Sequence, residues 1–238
     1  MFALEDTHGG IGVAFTDRHG GASGGPFASL NLSDATGDDP VAVRDNLGRV
    51  AGALGVGDLA LMHQVHGADV HRVAGPQDGV PVADALVTAV PELALVVRVA
   101  DCVPVLLADR STGVVGAAHA GRPGLVAGVV PRAVEAMRAL GAGAVEAWVG
   151  PHVCGTCYEV PEAMREHVGA LVPESVSQTS WGTPALDIGA GVRAQLAAAG
   201  VDPVREVARC TLEDDGLFSY RRQGRRSGRL AGLVWSRS

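Results

Sequence analysis

The chain contains no lysine: its 19 basic side chains are all arginine, set against 26 acidic ones for a formal charge of −7. Without an amine side chain, Schiff-base catalysis and the lysine of a phosphate-binding P-loop are excluded. The negative balance argues against general nucleic-acid binding, which needs a basic surface to release counterions. Cysteine is scarce, with single residues at 102, 154, 157 and 210, so there is no dense disulfide framework. No apolar run approaches the roughly 20 residues of a membrane helix, and the N-terminal Met-Phe-Ala-Leu-Glu-Asp lacks the basic-then-apolar design of a secretory signal. The expectation is a cytoplasmic protein, monomer or weak homodimer, with no membrane or nucleic-acid partner.

What is present is glycine, at 33 residues, and a 47 % hydrophobic content drawn from small and aliphatic side chains. At 238 residues, roughly 70 % or more of the unfolded surface can be buried without a staple. Glycine, serine, asparagine and aspartate crowd residues 16–40, which read as a long irregular loop after a first strand near 11–15. Pro40 suits the first turn of a helix whose apolar Val43, Leu47, Val50 and Leu54 recur at helical spacing up to Gly55. Strands are expected at 59–66, 69–73, 93–100, 103–108, 114–119, 145–149, 204–208 and 230–235, and helices at 125–140, 161–172 and 188–199. Interleaved strands and helices define an α/β class, expected as one domain over 1–238 with helices layered on a mixed sheet in an α/β/α arrangement.

Chemistry is concentrated at strand ends. Gln64-Val65-His66-Gly67 places an imidazole before a glycine turn. Ala100-Asp101-Cys102-Val103-Pro104 sets a polar pair between two apolar strands, and Pro104, unable to donate to a ladder, suggests a bend that exposes Cys102. Ala118-His119-Ala120-Gly121-Arg122-Pro123-Gly124 leaves space around an imidazole just before a helix, whose first N–H groups suit an anion. His66, Cys102 and His119 together make a His₂Cys set with one open position, suited to a catalytic zinc. The same residues also fit a Cys–His nucleophilic pair, with Asp101 or Asp84 orienting the base.

Seven strings in order resemble the YfiH-type family, also called the laccase-domain, polyphenol oxidase or peptidoglycan-editing-factor family and related to the mammalian FAMIN. They are Ser29-Leu30-Asn31-Leu32, Gln64-Val65-His66-Gly67, Ala100-Asp101-Cys102-Val103-Pro104, Ala118-His119-Ala120-Gly121, Gly150-Pro151 through Cys157-Tyr158-Glu159-Val160, Arg209-Cys210-Thr211, and Phe218-Ser219-Tyr220-Arg221-Arg222. The resemblance implies zinc ligation by His66, Cys102 and His119. It also implies activity on purine nucleosides: deamination of adenosine, and phosphorolysis of adenosine, inosine or methylthioadenosine.

Members of that family are described as copper-dependent phenol oxidases as well. This chain has eight histidines and no His-X-His pair, so one soft site favours zinc over a multicopper cluster. Asp101 and Cys102 are the catalytic candidates, and Arg18, Asn31, Arg122 and Arg221 the candidates for substrate and phosphate. The family usually continues His-Ala-Gly with Trp-Arg-Gly, whereas this chain has Arg122-Pro123-Gly124, so a phosphate role passes to Arg122, Arg18 or another arginine.

The alternatives are a Cys–His hydrolase that edits peptidoglycan precursors, a phenol oxidase, and a non-enzymatic zinc-binding accessory protein. Cys154-Gly155-Thr156-Cys157 has redox or zinc spacing but no thioredoxin-like context, and is expected to be structural. The arginines from Arg221 to Arg229 are expected on a hairpin with a solvated basic turn.

Overall fold

The computed structural model describes residues 1–237. Two sheets are stacked face to face. The first has the order β1-β2-β13-β6-β3, formed by β1 (Phe2–His8), β2 (Ile11–Thr16), β13 (Leu230–Ser236), β6 (Leu93–Val99) and β3 (Asp58–Ala60). The second runs β12-β9-β7-β8-β5-β4, from β12 (Val204–Glu206), β9 (Glu146–Val149), β7 (Val103–Ala108), β8 (Val115–Ala120), β5 (Ala85–Thr88) and β4 (Val70–Arg72). Both sheets are mixed, with antiparallel centres and parallel pairs at β3/β6, β9/β12 and β4/β5. A small hairpin, β10 (Val176–Gln178) with β11 (Pro184–Leu186), stands apart.

Side-chain alternation explains why these strands read as continuous apolar runs. In β7, Leu106 and Ala108 join the core shared with the first sheet, while Val105 and Leu107 face a second core against helices. In β6, Leu95 and Val97 point to the shared core, while Ala94 and Val96 pack on α1 (Pro40–Leu54). The layer order is therefore helix, sheet, sheet, helix. The α/β class with mixed sheets agrees with the sequence; the division of the strands between two sheets was not apparent there, because periodicity does not say which strands pair.

Local signals account for the helices. Asp39 accepts the Val41 N–H at 2.9 Å as the N-cap of α1, Pro40 occupies the first turn, and Gly55 closes the helix at φ 66°. The buried Asn46 on its inner face donates to Ser23 Oγ and Asn31 O and accepts from Ala22 N, which ties the glycine-rich 16–40 segment down. The long helix expected at 125–140 is two: α2 (Arg122–Val126) and α3 (Val129–Ala139). Gly128 at φ 77° breaks it, so the dipole ahead of the site belongs to a helix of only five residues. Helices α4 (Glu162–Leu171) and α5 (Ile188–Ala198) follow the expectation within two residues.

The C-terminal arginines do not form a hairpin. Arg221, Arg222, Arg225 and Arg226 lie on a short helix, α6 (Tyr220–Gln223), and a 3₁₀ turn at Gly224–Arg226, because Ser219 accepts the Arg222 N–H and starts a helix, and Arg229 directly precedes β13. Strands β1, β5, β10 and β11 lie outside the expected segments; β1 carries exposed polar residues at a sheet edge, and the other three are only three or four residues long. Pro104 is second in the central strand β7, opposite His119, and the strand continues through it instead of bending. No helix among the described residues is long and apolar enough to cross a membrane.

Candidate metal centre and cavity

Topology brings the three donors together. Strands β7 and β8 are antiparallel neighbours with Val103 opposite Ala120, so Cys102, just before β7, and His119, near the end of β8, lie at one end of the sheet. His66 arrives from the loop between β3 and β4. The donor atoms of His66, Cys102 and His119 lie within 4.8 Å of one another. His66 Nε2 is 3.7 Å from Cys102 Sγ, and the two imidazole rings meet edge-on at 4.7 Å.

Asp84, immediately before β5 and fully buried, organises the group. It accepts from His119 Nδ1 at 2.8 Å, from the His66 N–H at 2.9 Å and from the Gly67 N–H at 2.6 Å. A carboxylate only accepts, so a proton sits on His119 Nδ1 and Nε2 is the ring nitrogen left to face Cys102, able to ligate a metal once its own proton is displaced. The same carboxylate holds His66 at φ 60°, a conformation uncommon outside glycine and fixed here by its hydrogen bonds. Burial would raise the Asp84 pKa, but His119 and the N–H donors of Gly67 and Val65 outweigh it and the carboxyl is held below its ordinary value.

Burial likewise pushes the Cys102 thiol up, yet His119 and His66 beside it bring it down to about 6. Burial lowers the His119 pKa, while the Cys102 thiolate and Asp84 raise it to about 9. An ionised thiolate beside two imidazoles, one locked by a carboxylate, is a donor set that fits a soft divalent ion with a fourth position open. Gly121 completes the fit: a Cβ there would stand 2.6 Å from His66 Cδ2 and 3.1 Å from Cys102 Sγ, so only glycine lets the donors close up.

The trio opens into a cavity of about 920 Å³. Arg98, Arg122, Arg221 and Arg229 line it, with Tyr158 and Tyr220. Arg221 is fixed over the Tyr158 ring at 4.9 Å and donates to Glu159 O at 2.8 Å; Arg229 stands over Tyr220 at 5.8 Å. Burial lowers the pKa of Arg98 and of Arg229, but arginine remains charged in any accessible range.

Of the sequence candidates, Arg122 and Arg221 line the cavity, whereas Arg18 and Asn31 do not. Arg18 donates to Ala28 O and stacks on Phe218. Asn31 is fully buried and spends its amide on Ser33 O, Thr36 Oγ1, Asp38 and the Arg229 N–H, so it braces the loop behind the cavity wall. Asp101 lines the cavity, but its two oxygens accept from Thr211 Oγ1 and the Arg221 N–H, both at 2.6 Å; it positions Arg221, and it is Asp84 that orients His119. Arg98, Arg229, Tyr158 and Tyr220 are not among the sequence candidates for the site, although Tyr158 and Tyr220 stand in its motifs and Arg229 in the C-terminal arginine cluster.

Fold and site together define a class: an α/β protein of two stacked mixed sheets, with a His₂Cys candidate metal centre at the base of an arginine-lined cavity. Residues 12–237 match the family described as multi-copper polyphenol oxidoreductase laccase, and the chain belongs to this family. It is 57 % identical over 234 residues, 95 % of each chain, to a Streptomyces griseus protein named purine nucleoside phosphorylase. A Streptomyces coelicolor protein of the same name is 54 % identical over 241 residues, 99 % of each chain. The crystal structure of a Neisseria meningitidis protein superposes with a TM-score of 0.89 at 33 % identity, covering 99 % of both chains.

Proposed function

We propose that the protein is a cytoplasmic, zinc-dependent purine nucleoside enzyme that phosphorolyses adenosine, inosine or methylthioadenosine and deaminates adenosine at the same centre. The observation that carries this reading is the His66–Cys102–His119 trio opening into a cavity of about 920 Å³ ringed by four arginines. That volume suits a nucleoside with phosphate, and guanidinium groups match phosphate bidentately. The relatives named purine nucleoside phosphorylase support it, at 54–57 % identity over nearly their whole length.

His66, Cys102 and His119 would hold the metal. Zinc is favoured over copper because one site of two imidazoles and a thiolate is too small for a multicopper assembly. When bound, the ion supplies Lewis acidity and lowers the pKa of a coordinated water. In phosphorolysis a phosphate oxygen bonds to C1′ as the C1′–N9 bond breaks, and the purine leaves with a proton. Arg122 and Arg221 hold the phosphate against the sugar, while the Tyr158 and Tyr220 rings flank the base. Asp101 keeps the Arg221 backbone in place, and Asp84 keeps the proton on His119 Nδ1.

Incubation of the purified protein with adenosine, inosine and methylthioadenosine, with and without phosphate, tests this. Expected products are the free base with ribose 1-phosphate, or methylthioribose 1-phosphate from methylthioadenosine, when phosphate is present, and inosine from adenosine. Failure to convert any of the three by the zinc-loaded protein would overturn it.

A second reading has one observation in its favour: Cys102, His119 and Asp84 also form a Cys–His–Asp relay, with an ionised thiol and a protonated imidazole. A cysteine hydrolase of this kind gains activity when metal is stripped, whereas the nucleoside enzyme loses it.

A further inference from the structure

A second convergence of donors lies in a part of the chain that the proposed reaction does not use. Cys154 and Cys157 occupy the two ends of one turn, closed by the Cys157 N–H donating to Cys154 O at 3.0 Å. Cys210 and Glu213 have the same spacing in a second turn, closed by the Asp214 N–H donating to Cys210 O at 3.0 Å. The turns start side by side because His152 and Cys210 pair as a parallel bridge, in which the Thr211 N–H donates to His152 O at 3.0 Å. One backbone pairing thus sets two hooks of identical spacing facing each other.

The three Sγ atoms and a Glu213 carboxylate oxygen lie within 4.8 Å of one another. The buried Cys157 donates to Glu213 Oε1 at 3.3 Å, and the Cys154 N–H donates to Cys210 Sγ at 3.4 Å. Core packing accounts for the buried Cys157 but not for the convergence of Cys154, Cys210 and Glu213 on it, and a disulfide would use two sulfurs and leave the third thiol and the carboxylate unexplained. A tetrahedral ion with Zn–S bonds of about 2.3 Å places its sulfurs about 3.8 Å apart, so a contraction of about 1 Å closes the shell. Paired Cys-x₂ hooks are the usual ligand spacing of structural zinc sites.

We propose that Cys154, Cys157, Cys210 and Glu213 form a second, structural zinc site, separate from the His66–Cys102–His119 centre. Four protein ligands leave no open position for substrate. Its role is mechanical. It fastens the turn that precedes Tyr158 to the segment that leads to Arg221, two residues of the cavity wall, and so fixes the wall from behind. The proposal does not depend on the nucleoside reading.

Metal content and thiol accessibility test it in the intact protein. Zinc-loaded wild type is expected to hold two ions per chain and Cys102→Ala one. Cobalt(II) loaded into Cys102→Ala is expected to show the intense thiolate-to-cobalt charge transfer and tetrahedral ligand-field bands of a several-thiolate site. Glu213→Ala, at an exposed position that does not endanger folding, is expected to weaken the remaining site roughly tenfold or more while the far-ultraviolet spectrum is unchanged. The proposal is overturned if Cys102→Ala binds no metal and Cys154, Cys157 and Cys210 of the wild type react with a thiol reagent equally fast with and without zinc. It is also overturned if Cys154 and Cys210 are found disulfide-bonded in freshly isolated protein. One ion in both wild type and Cys102→Ala would support this site and count against the other.

Discussion

His119 and Asp84 are joined by a 2.8 Å contact between Nδ1 and Oδ1, and both side chains are buried. This single carboxylate also takes the backbone N–H groups of Val65, His66 and Gly67, so it couples the strand that carries one candidate ligand to the loop that carries another. Asp84→Asn keeps the shape but turns an amide donor toward groups that are themselves donors. We expect a loss of about 1–3 kcal/mol in stability and a 10- to 100-fold loss in affinity at the His66–Cys102–His119 centre. Thermal unfolding and zinc competition with a chelator measure the two; unchanged affinity would mean that Asp84 does not set the ligand geometry.

Cys102 separates the two chemistries the trio allows. Cys102→Ala is expected to remove one zinc per chain and all turnover. In the wild type, zinc is expected to shield Cys102 from alkylation, and chelation to expose it. If iodoacetamide modifies Cys102 at the same rate in the zinc-loaded and chelated protein, the thiolate is not a ligand.

The legible part of this site was the part written in short local strings. In the sequence His66, Cys102 and His119 each stand within two residues of a glycine or proline, where an imidazole or thiol has no packing reason to be; the strand expected at 59–66 ends at Ala60, and His66 lies in the loop that follows. Asp84 was visible only as one of two possible orienting carboxylates, because its partner comes from pairing β5 with β8, which no local pattern encodes. Arg18 and Asn31 were misplaced for the opposite reason: a glycine-rich loop looks like a ligand loop, yet Asn31 turns its amide inward and knits the loop to itself. The same limit applies to the fold. Apolar runs marked most strands, but only the alternation of Leu106 with Val105 and Leu107 across β7 shows that a second sheet, and not a helix, covers one face.

The arginines divide into those that line the cavity and those that do not, and kinetics should divide them the same way. If Arg122 holds phosphate as proposed, Arg122→Ala is expected to remove a charge-assisted contact of about 1.5–3 kcal/mol and to raise the KM for phosphate roughly 10- to 100-fold. Arg18→Ala is expected to leave that KM unchanged, since its guanidinium is held by Ala28 O and the Phe218 ring. Equal effects of the two substitutions would dissociate the arginine ring from phosphate binding.

Asp109 provides a pH test independent of the metal centre. It is buried at 1 % exposure, which alone would raise its pKa, but donors from Ser111, Gly143 and Thr112 hold it down to about 2 against an ordinary 3.8. A depressed carboxylate stabilises the fold above its unfolded pKa and loses that contribution as pH falls through the folded value. The window is therefore pH 4 to 2, with an amplitude of roughly 2 kcal/mol. Urea midpoints across this range should fall more steeply for wild type than for Asp109→Asn; parallel curves would remove Asp109 from the acid response.

Gly121 tests whether the donors must approach as closely as they do. Its φ of −77° is open to any residue, so alanine there carries no backbone strain, and only the added methyl matters. That methyl meets His66 Cδ2 at 2.6 Å and Cys102 Sγ at 3.1 Å, both inside ordinary contact distance. Asp84 fixes the His66 backbone through its N–H, so the imidazole can yield only by turning about its side-chain bonds, which moves Nε2 away from its 3.7 Å contact with Cys102 Sγ. Gly121→Ala is thus expected to keep the fold, shown by an unchanged urea slope, yet bind zinc at this centre at least tenfold more weakly. Full affinity in this variant would show that the ligands have slack, and that the close packing of His66, Cys102 and Gly121 is not what defines the site.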